Sequence, residues 1–550
     1  LRGLIVMEMN INSNIDSIST DGTVEIETRS METGMNCVVK SKNIKISVIT
    51  VKIGSGTTIH ADSWNKGTVK IVVNETMTLE PTSRISADKG GSVRLVSKVL
   101  EASRTSILSG LGGRTAAEAG HQSVSIAIPS GTIEPIIRVQ SGTFLVEGTS
   151  SSKEVDVVIQ QSSQTENLKG FTLKNIRKLE LETNAKIEMT EEFKVVQSNL
   201  HVMSLLSSSI LTGRDLSIGV VDLTIVKSAS IHTDARGYTS SAESGYGCAA
   251  NGDTRYQRSS WGGAHGGKGG TARGSCTSGQ TVYGNKDAPT TMGGGAVGVK
   301  GGGVIRLDVT GWLTMQSQAR ISSDGGAAGD KAGGAGGSVW IRAAKVDLAT
   351  DSVLSARGGI GSFGSHYYDG TRYSNHAGGG GGRMLLEVGA AKNNALSTTI
   401  YVNGGIKGTS HGGANDGNGG SFVLKGIGTK TIDFQLRSES NFKTMTSFDL
   451  FNVHTFTTLA ASSLSLVSSM TLNGLEKMQM DIGSKIEGAA TAIGIKTVRL
   501  ETGLNCLVRS NTINIEAGSA KIGGGTFVNA DSWNKGTVTF TVSNRLELEA

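Results

Sequence analysis

Residues 301–326 read GGGVIRLDVTGWLTMQSQARISSDGG, and this stretch decides the fold. Glycines open it, a strand of alternating apolar and polar residues follows, and a short strand closes it at Ile321 before a polar corner. Residues 336–359, GGSVWIRAAKVDLATDSVLSARGG, repeat this order, and residues 66–90 keep it outside the most glycine-rich region. Alternation over a few positions is typical of a half-buried strand, and strands this short bury a face only when neighbours stack on them.

These recurring segments predict an all-β chain folded as a parallel β-helix, or β-solenoid, with glycine-rich loop insertions and a period of roughly 22 to 46 residues. Only 4 of the 550 residues are proline, which leaves backbone N–H groups free to bond to neighbouring coils. The alternative, a series of β-sandwiches, requires regularly spaced hairpin turns. The links here are long, variable and glycine-rich, so the solenoid is favoured.

Composition excludes several classes of protein. The chain has 77 glycines and 5% aromatic residues, yet 37% of its residues are hydrophobic, which is too many for a disordered glycine-rich linker. Collagen is excluded because the glycines have no strict period. The sequence has no long apolar run, so we predict no membrane-spanning segment. With 53 basic and 47 acidic residues, the small net charge predicts no nucleic-acid partner.

A long internal repeat is the most specific signal. Residues 61–69 and 530–538 both read ADSWNKGTV, and ETGMNCVV at 32–39 matches ETGLNCLV at 501–508. Both matches are 469 residues apart. The sequence therefore has the pattern expected of a window on a tandem array of units of about 469 residues.

The repeat and the glycine distribution divide the chain into four parts. We expect β-solenoid coils over residues 1–236, a glycine-rich, disulfide-stapled loop insertion over 237–303, glycine-rich coils over 304–469, and the start of the next tandem unit over 470–550.

The glycine-rich block resembles a known group of sequences. Gly263–Gly270 reads GAHGGKGG, Tyr283 and Gly284 follow with Pro289, and glycine-rich coils such as 301–326 come next. This order is similar to the glycine-rich repeat segments of very large secreted or surface proteins of protists, oomycetes and plants. The resemblance implies a parallel β-helix in an extracellular fibre or on a cell surface, and it implies no known chemistry.

The four cysteines form two pairs by position. Cys248 and Cys276 both lie in the glycine-rich block, and a disulfide between them would stabilise a loop without a core of its own by about 3 kcal/mol in the chain-entropy model. Cys37 and Cys506 occupy the same position in successive copies. They are interpreted either as buried core thiols or, more sharply, as residues that bridge units of neighbouring chains.

Two further features are candidates for contact or modification. Trp64 and Asn65, with Trp533 and Asn534, belong to the identical ADSWNKGT segments. They form either a corner of a coil or an interface between units or chains, since tryptophan is a frequent interface anchor. Asn74 begins an Asn-Glu-Thr sequon, which predicts N-glycosylation if the protein is secreted.

No pattern of catalytic, cofactor-binding or metal-ligating residues is found. GGAHGGKG at 262–269 lacks the Ser or Thr that a phosphate loop places after Lys268. The Asn/Asp/Gly turn at 415–420 occurs once, whereas calcium-binding solenoid turns recur. Candidate carboxylates and cations of a polysaccharide lyase or hydrolase are spread over different coils, which argues against an enzyme: Asp324, Asp330, Asp347, Asp351, Arg342 and Arg357.

We therefore expect a structural protein that forms a long extracellular or cell-surface filament by continuous stacking of tandem units. Its expected partner is itself, end to end and in lateral association. The first alternative is the stalk of a surface adhesin whose aromatic loops bind glycans, with candidates Trp261, Tyr367, Tyr368 and Tyr373. The second alternative is a β-helix polysaccharide lyase or hydrolase.

Overall fold

The computed structural model describes most of the chain, with gaps at turns and within the glycine-rich block. The described residues are 1–17, 22–61, 67–87, 91–110, 123–128, 130–140, 143–148, 154–190, 192–194, 200–239, 245–247, 261–272, 281–327, 331–361, 367–368, 371–372, 376–392, 395–396, 398–408, 414–428, 432–436, 442–488, 492–530 and 536–549. Strands stacked in parallel form a β-solenoid of about 18 turns, and no α-helix occurs among these residues. The predicted fold class is confirmed.

The chain divides into two compact units, Leu1–Ser230 and Ile231–Ala550. The strands of the first unit are β1 (Arg2–Met9), β2 (Asn14–Asp16), β3 (Thr23–Thr33), β4 (Val38–Ser41), β5 (Asn43–Val48), β6 (Thr50–Ile53), β7 (Thr58–Ala61), β8 (Thr68–Leu79), β9 (Arg84–Ala87), β10 (Ser92–Ala102), β11 (Ile107–Gly110), β12 (Ser123–Ile128), β13 (Ser130–Ile133), β14 (Ile136–Gln140), β15 (Thr143–Gly148), β16 (Glu154–Ile159), β17 (Gln164–Leu168), β18 (Gly170–Lys174), β19 (Ile176–Leu181), β20 (Lys186–Met189), β21 (Glu192–Lys194), β22 (Leu200–Leu205), β23 (Ile210–Thr212) and β24 (Asp215–Ile225).

From residue 230 onward, the strands are β25 (Ser230–His232), β26 (Val304–Met315), β27 (Arg320–Ser322), β28 (Ser338–Leu348), β29 (Val353–Ser355), β30 (Tyr367–Tyr368), β31 (Thr371–Arg372), β32 (Arg383–Ala391), β33 (Ala395–Leu396), β34 (Thr399–Tyr401), β35 (Gly419–Gly426), β36 (Asp433–Leu436), β37 (Phe442–Phe451), β38 (Thr455–Thr458), β39 (Ser463–Met480), β40 (Lys485–Gly488), β41 (Ala492–Thr502), β42 (Leu507–Ser510), β43 (Thr512–Ile522), β44 (Phe527–Ala530) and β45 (Thr537–Leu548).

Parallel sheets in the first unit place equivalent residues of successive coils above one another. One sheet runs β1-β3-β5-β8-β10-β12-β15-β18, and another runs β2-β4-β7-β9-β11-β14-β17-β20-β23. In the first sheet, alternate residues point inward and are buried, and they form an apolar ladder of Ile46, Ile71, Leu95, Ile126 and Val146. Each rung removes apolar surface from water, which is the main stabilising term of such a stack.

Coil length separates the regular from the glycine-rich part. In the register of β4, β7, β9 and β11, the paired residues Val38, Thr58, Arg84 and Ile107 are 20, 26 and 23 residues apart. In the register of β27, β29 and β34, the corresponding steps are 33 and 46 residues. The added length lies in glycine-rich segments between strands.

Glycine-rich segments of the second unit form a packed layer in which hydrogen-bond partners recur every three residues. The N–H groups of Gly333 and Gly336 donate to the carbonyl oxygens of Ala377 and Gly380, at 3.0 and 2.9 Å. A spacing of three residues matches the three-residue turn of a polyproline II chain, which makes no hydrogen bonds within itself. The spacing recurs in further donor–acceptor pairs: Gly334 to Gly326 with Gly337 to Ser323, and Gly378 to Asn415 with Gly381 to Asn418.

The described part of the 237–303 block is joined to this layer. The N–H of Gly267 donates to the Gly381 carbonyl at 2.9 Å. The Lys286 ammonium bonds to the buried Asp449 carboxylate on β37 at 2.8 Å. Backbone bonds and an ion pair therefore hold the described residues of the block against the coils.

Candidate functional site

The two copies of the repeat fold alike. Adding 469 to the bounds of β3, β4, β7 and β8 gives the bounds of β41, β42, β44 and β45. Equivalent side chains also make equivalent contacts: the Thr57 hydroxyl donates to the Gly34 carbonyl at 2.8 Å, and the Thr526 hydroxyl donates to the Gly503 carbonyl at 2.9 Å. The repeat in the sequence is therefore a repeat of structure, down to single hydrogen bonds.

Cys37 and Cys506 are free thiols buried in equivalent places. The Cys37 thiol donates to the Asn10 carbonyl at 2.9 Å, and the Cys506 thiol donates to the Asp481 carbonyl at 3.1 Å. Both side chains are 0% exposed, so each sulfur lies inside its own coil stack rather than on a surface open to another chain.

One face of the repeat is covered in the first copy and uncovered in the second. In the first unit, β10 pairs in parallel with β8 and buries Met77 and Leu79, which are 0% and 2% exposed. The equivalent residues on β45, Leu546 and Leu548, are 51% and 73% exposed. β45 is the last described strand and pairs with β43 alone, so the exposure of its leucines follows from its position at the end of the chain.

A second candidate site lies at the ends of the glycine-rich coils, where successive corner residues form a ladder. The Asp234 carboxylate accepts the N–H of Asp324 at 2.7 Å, and the Asp324 carboxylate accepts the N–H of Arg357 at 2.9 Å. Asp324 also accepts from the Arg357 Nε at 2.9 Å and from Arg320 at 2.5 Å. Each corner side chain thus caps the backbone of the next coil.

Burial, and next the neighbouring Asp234 carboxylate, raise the pKa of Asp324 against the opposing attraction of Arg320 and Arg357. Beside the ladder runs a groove of about 520 Å³, bounded by glycine backbone and by Ile360. A carboxyl with a raised pKa next to a groove marks a candidate binding site.

His265, in the glycine-rich block, is fully buried and neutral. Its Nδ1 donates to the Gly336 carbonyl at 2.9 Å, and its Nε2 accepts from the Thr291 hydroxyl at 2.8 Å. A carbonyl only accepts, which fixes this tautomer. Burial lowers the pKa of His265 to about 3, with a further contribution from Arg383. The side chain therefore joins Gly336 and Thr291 through hydrogen bonds inside the glycine layer.

Several predicted site residues lie outside the described residues. These are both members of the predicted disulfide, the Trp–Asn pairs, and two of the enzyme and adhesin candidates: Cys248, Cys276, Trp64, Asn65, Trp533, Asn534, Asp330 and Tyr373. Asn74 is described and exposed on β8. It lies where β8 carries one residue more than β10, because the register shifts between Ser97 and Val99.

The structure gives the remaining enzyme candidates separate partners. Asp347 pairs with Lys392 at 2.6 Å, and Asp351 accepts a hydrogen bond from Ser317 at 2.6 Å. Among the described residues, no group of three or more His, Cys, Asp or Glu side chains is placed to hold a metal ion. Trp261, an adhesin candidate, is half-buried.

Two residues of the groove were missed by sequence analysis, Arg320 and Asn403. The sequence does contain a signal for the two aspartates of the groove. The strand ends Ile231-His232-Thr233-Asp234 and Ile321-Ser322-Ser323-Asp324 align, and the structure stacks Asp324 on Asp234 in that register. Neither Arg320, inside a strand, nor Asn403, two coils later, shares that pattern.

Comparison with known proteins adds no relative: no family model matches the chain, and neither a curated protein nor a solved structure is similar to it. In the part of the chain that the structure describes, no helix has the length and apolar character to cross a membrane.

Proposed function

We propose that this chain is a length of structural solenoid, extended coil by coil from one tandem unit to the next, in an extracellular or cell-surface filament. The observation that carries the proposal is the structural equivalence of the two copies. The bounds of β41, β42, β44 and β45 repeat those of β3, β4, β7 and β8 at an offset of 469 residues, and Thr57 and Thr526 make the same hydrogen bond to the preceding coil. A chain whose units repeat in structure as well as in sequence is typical of a solenoid extended by tandem repetition.

The extracellular setting is supported by sequence features. The glycine-rich block resembles large secreted or surface proteins, and the Asn74 sequon is exposed on a β-bulge where a glycan fits without disturbing inward-facing residues. The Cys248–Cys276 disulfide belongs to the same proposal, since such bonds persist in oxidising compartments.

Electron microscopy of engineered tandems tests this proposal. Chains carrying one, two and three units in sequence are compared by negative stain. The proposal predicts particles of constant width whose length grows by ~4.8 Å for each added coil. Separate beads joined by flexible links would contradict it.

The second candidate function, an adhesin stalk that binds glycans, is favoured by the groove beside Asp324. In that case a single chain stays monomeric while its ligand-binding surface is repeated along it. Sedimentation analysis separates the two: lateral or end-to-end self-association supports the filament, and a monomer at all concentrations supports the stalk.

A further inference from the structure

The groove beside Asp324 carries an inference that does not depend on stacking. Its floor is the ladder of corner residues, and its walls are glycine pairs such as Gly358 and Gly359. Ile360 and Ile406 lie on its rim, 52% and 55% exposed. Because these glycines have no side chains, the groove has room for a flat ligand that lies along the coils, with the two isoleucines at its edge.

An unsatisfied acceptor lies at the end of the ladder. Asn403 stands one coil beyond Arg357, since Ser355 pairs with Tyr401 in parallel register. Its Oδ1 is buried and has no hydrogen-bond partner among the described residues, while its Nδ2 donates to the Gly404 carbonyl at 3.0 Å. In the two earlier steps, the corresponding oxygens of Asp234 and Asp324 accept a backbone N–H. A buried acceptor left without a donor is costly unless a ligand satisfies it.

Donors lie beside this acceptor. The Arg357 Nε is used by Asp324, whereas its two terminal nitrogens bond to no described residue, and its side chain is 44% exposed. The guanidinium lies 5.7 Å from the centre of the Tyr401 ring, which restricts its orientation. Arg320 is 32% exposed on the same groove. Guanidinium groups favour carboxylates because two parallel N–H groups match two oxygens.

We propose that this groove binds a carboxylated saccharide chain: a sugar hydroxyl donates to Asn403 Oδ1, and a sugar carboxylate is held by Arg357, with Arg320 nearby. The rim isoleucines then pack against the apolar faces of the sugar rings. Asp324 accepts hydrogen bonds from Arg320, Arg357 and Ser355, which fixes the two arginines beside the groove.

The probes are two tetrasaccharides with the same β-1,4-linked backbone, an oligoglucuronate and cellotetraose, which differ in the carboxylates alone. Isothermal titration of the full chain measures both affinities. The oligoglucuronate is expected to bind at least tenfold more tightly than cellotetraose. Equal affinities, or no binding of either at millimolar concentration, would overturn the proposal.

Variants locate the site. Asn403→Leu keeps the branched shape of the side chain and removes its polar atoms, and it is expected to weaken oligoglucuronate binding about three- to tenfold, the usual effect of one hydrogen bond. Asn514→Leu on β43, at an exposed position outside the groove, is the matched control and leaves affinity unchanged. Arg357→Gln weakens binding further. If that variant fails to fold by circular dichroism, Asn403→Leu decides: unchanged binding in a folded Asn403→Leu chain refutes the site.

Discussion

The thiol of Cys506 donates a hydrogen bond to the main-chain carbonyl of Asp481 in the preceding coil, with the sulfur 3.1 Å from the oxygen. Cys37 makes the same contact with Asn10. Both thiols are fully buried, so they join one coil to the next inside the wall of the solenoid. The repeat thus preserves contacts between coils as well as strands.

Burial of these thiols predicts low chemical reactivity. Thiolates react only when exposed, so in a Cys248→Ser/Cys276→Ser background neither Cys37 nor Cys506 should react with Ellman's reagent until denaturant unfolds the chain. The measurement is the number of thiols labelled against denaturant concentration. Fast labelling in native buffer, or a dimer linked through Cys37, would favour the bridging interpretation instead.

The disulfide between Cys248 and Cys276 remains a prediction. Non-reducing mass spectrometry of peptides from the oxidised protein should recover the two cysteines linked. Cys248→Ser should lower the free energy of unfolding by about 3 kcal/mol under oxidising conditions. Recovery of both residues as alkylated free thiols from secreted material would show that the pair does not form.

The glycine layer should tolerate no side chain. A Cβ at Gly336 would lie 2.2 Å from the Ala356 carbonyl oxygen, whereas at Gly494 the nearest atom is 3.8 Å away. We expect Gly336→Ala to lower the free energy of unfolding by more than ~3 kcal/mol, and Gly494→Ala to change it by less than ~1 kcal/mol. Urea unfolding of both variants checks this. Similar stabilities of the two variants would mean that the glycine layer accommodates a methyl group at Gly336.

Acid should weaken the fold through His265. Its pKa is lowered from 6.5 to about 3 in the folded chain. As the pH falls, this histidine is therefore protonated in the unfolded chain before it is protonated in the folded chain. Stability from the buried neutral ring is full above pH 6.5 and falls as the pH drops toward 3, with a limiting slope of about 1.4 kcal/mol per pH unit. Urea unfolding between pH 7 and 4 should show this loss in the natural chain and not in His265→Gln. Equal pH dependence in both would exclude His265 as the cause.

The regular coils could be predicted because their side chains carry a period. Val69, Ile71 and Val73 alternate with polar residues, and the structure buries all three on β8. The glycine layer could not be predicted, because a run such as Gly333–Gly337 has almost no side-chain pattern. Its order lies in backbone bonds to segments remote in sequence.

The groove shows the same limit. Asp234, Asp324, Arg357 and Asn403 fall in register across intervals of 90, 33 and 46 residues. The lengths of the intervening glycine-rich segments set these intervals, and no local pattern measures them. Sequence analysis named Asp324 and Arg357 as separate enzyme candidates, and the register of the coils was needed to bring them together with Asp234 and Asn403.

The most direct measurement is hydrogen–deuterium exchange at β45 in a lengthened chain. Residue 550 corresponds to Pro81, so a copy of residues 82–110 appended there supplies the coil that covers β8 in the first unit. The same extension in scrambled order is the control. If repeats continue by stacking, the amides of Thr537–Leu548 that point toward the added coil exchange at least tenfold more slowly. This slowing is expected with the natural extension and not with the scrambled one. Equal exchange in both chains would contradict continuous stacking.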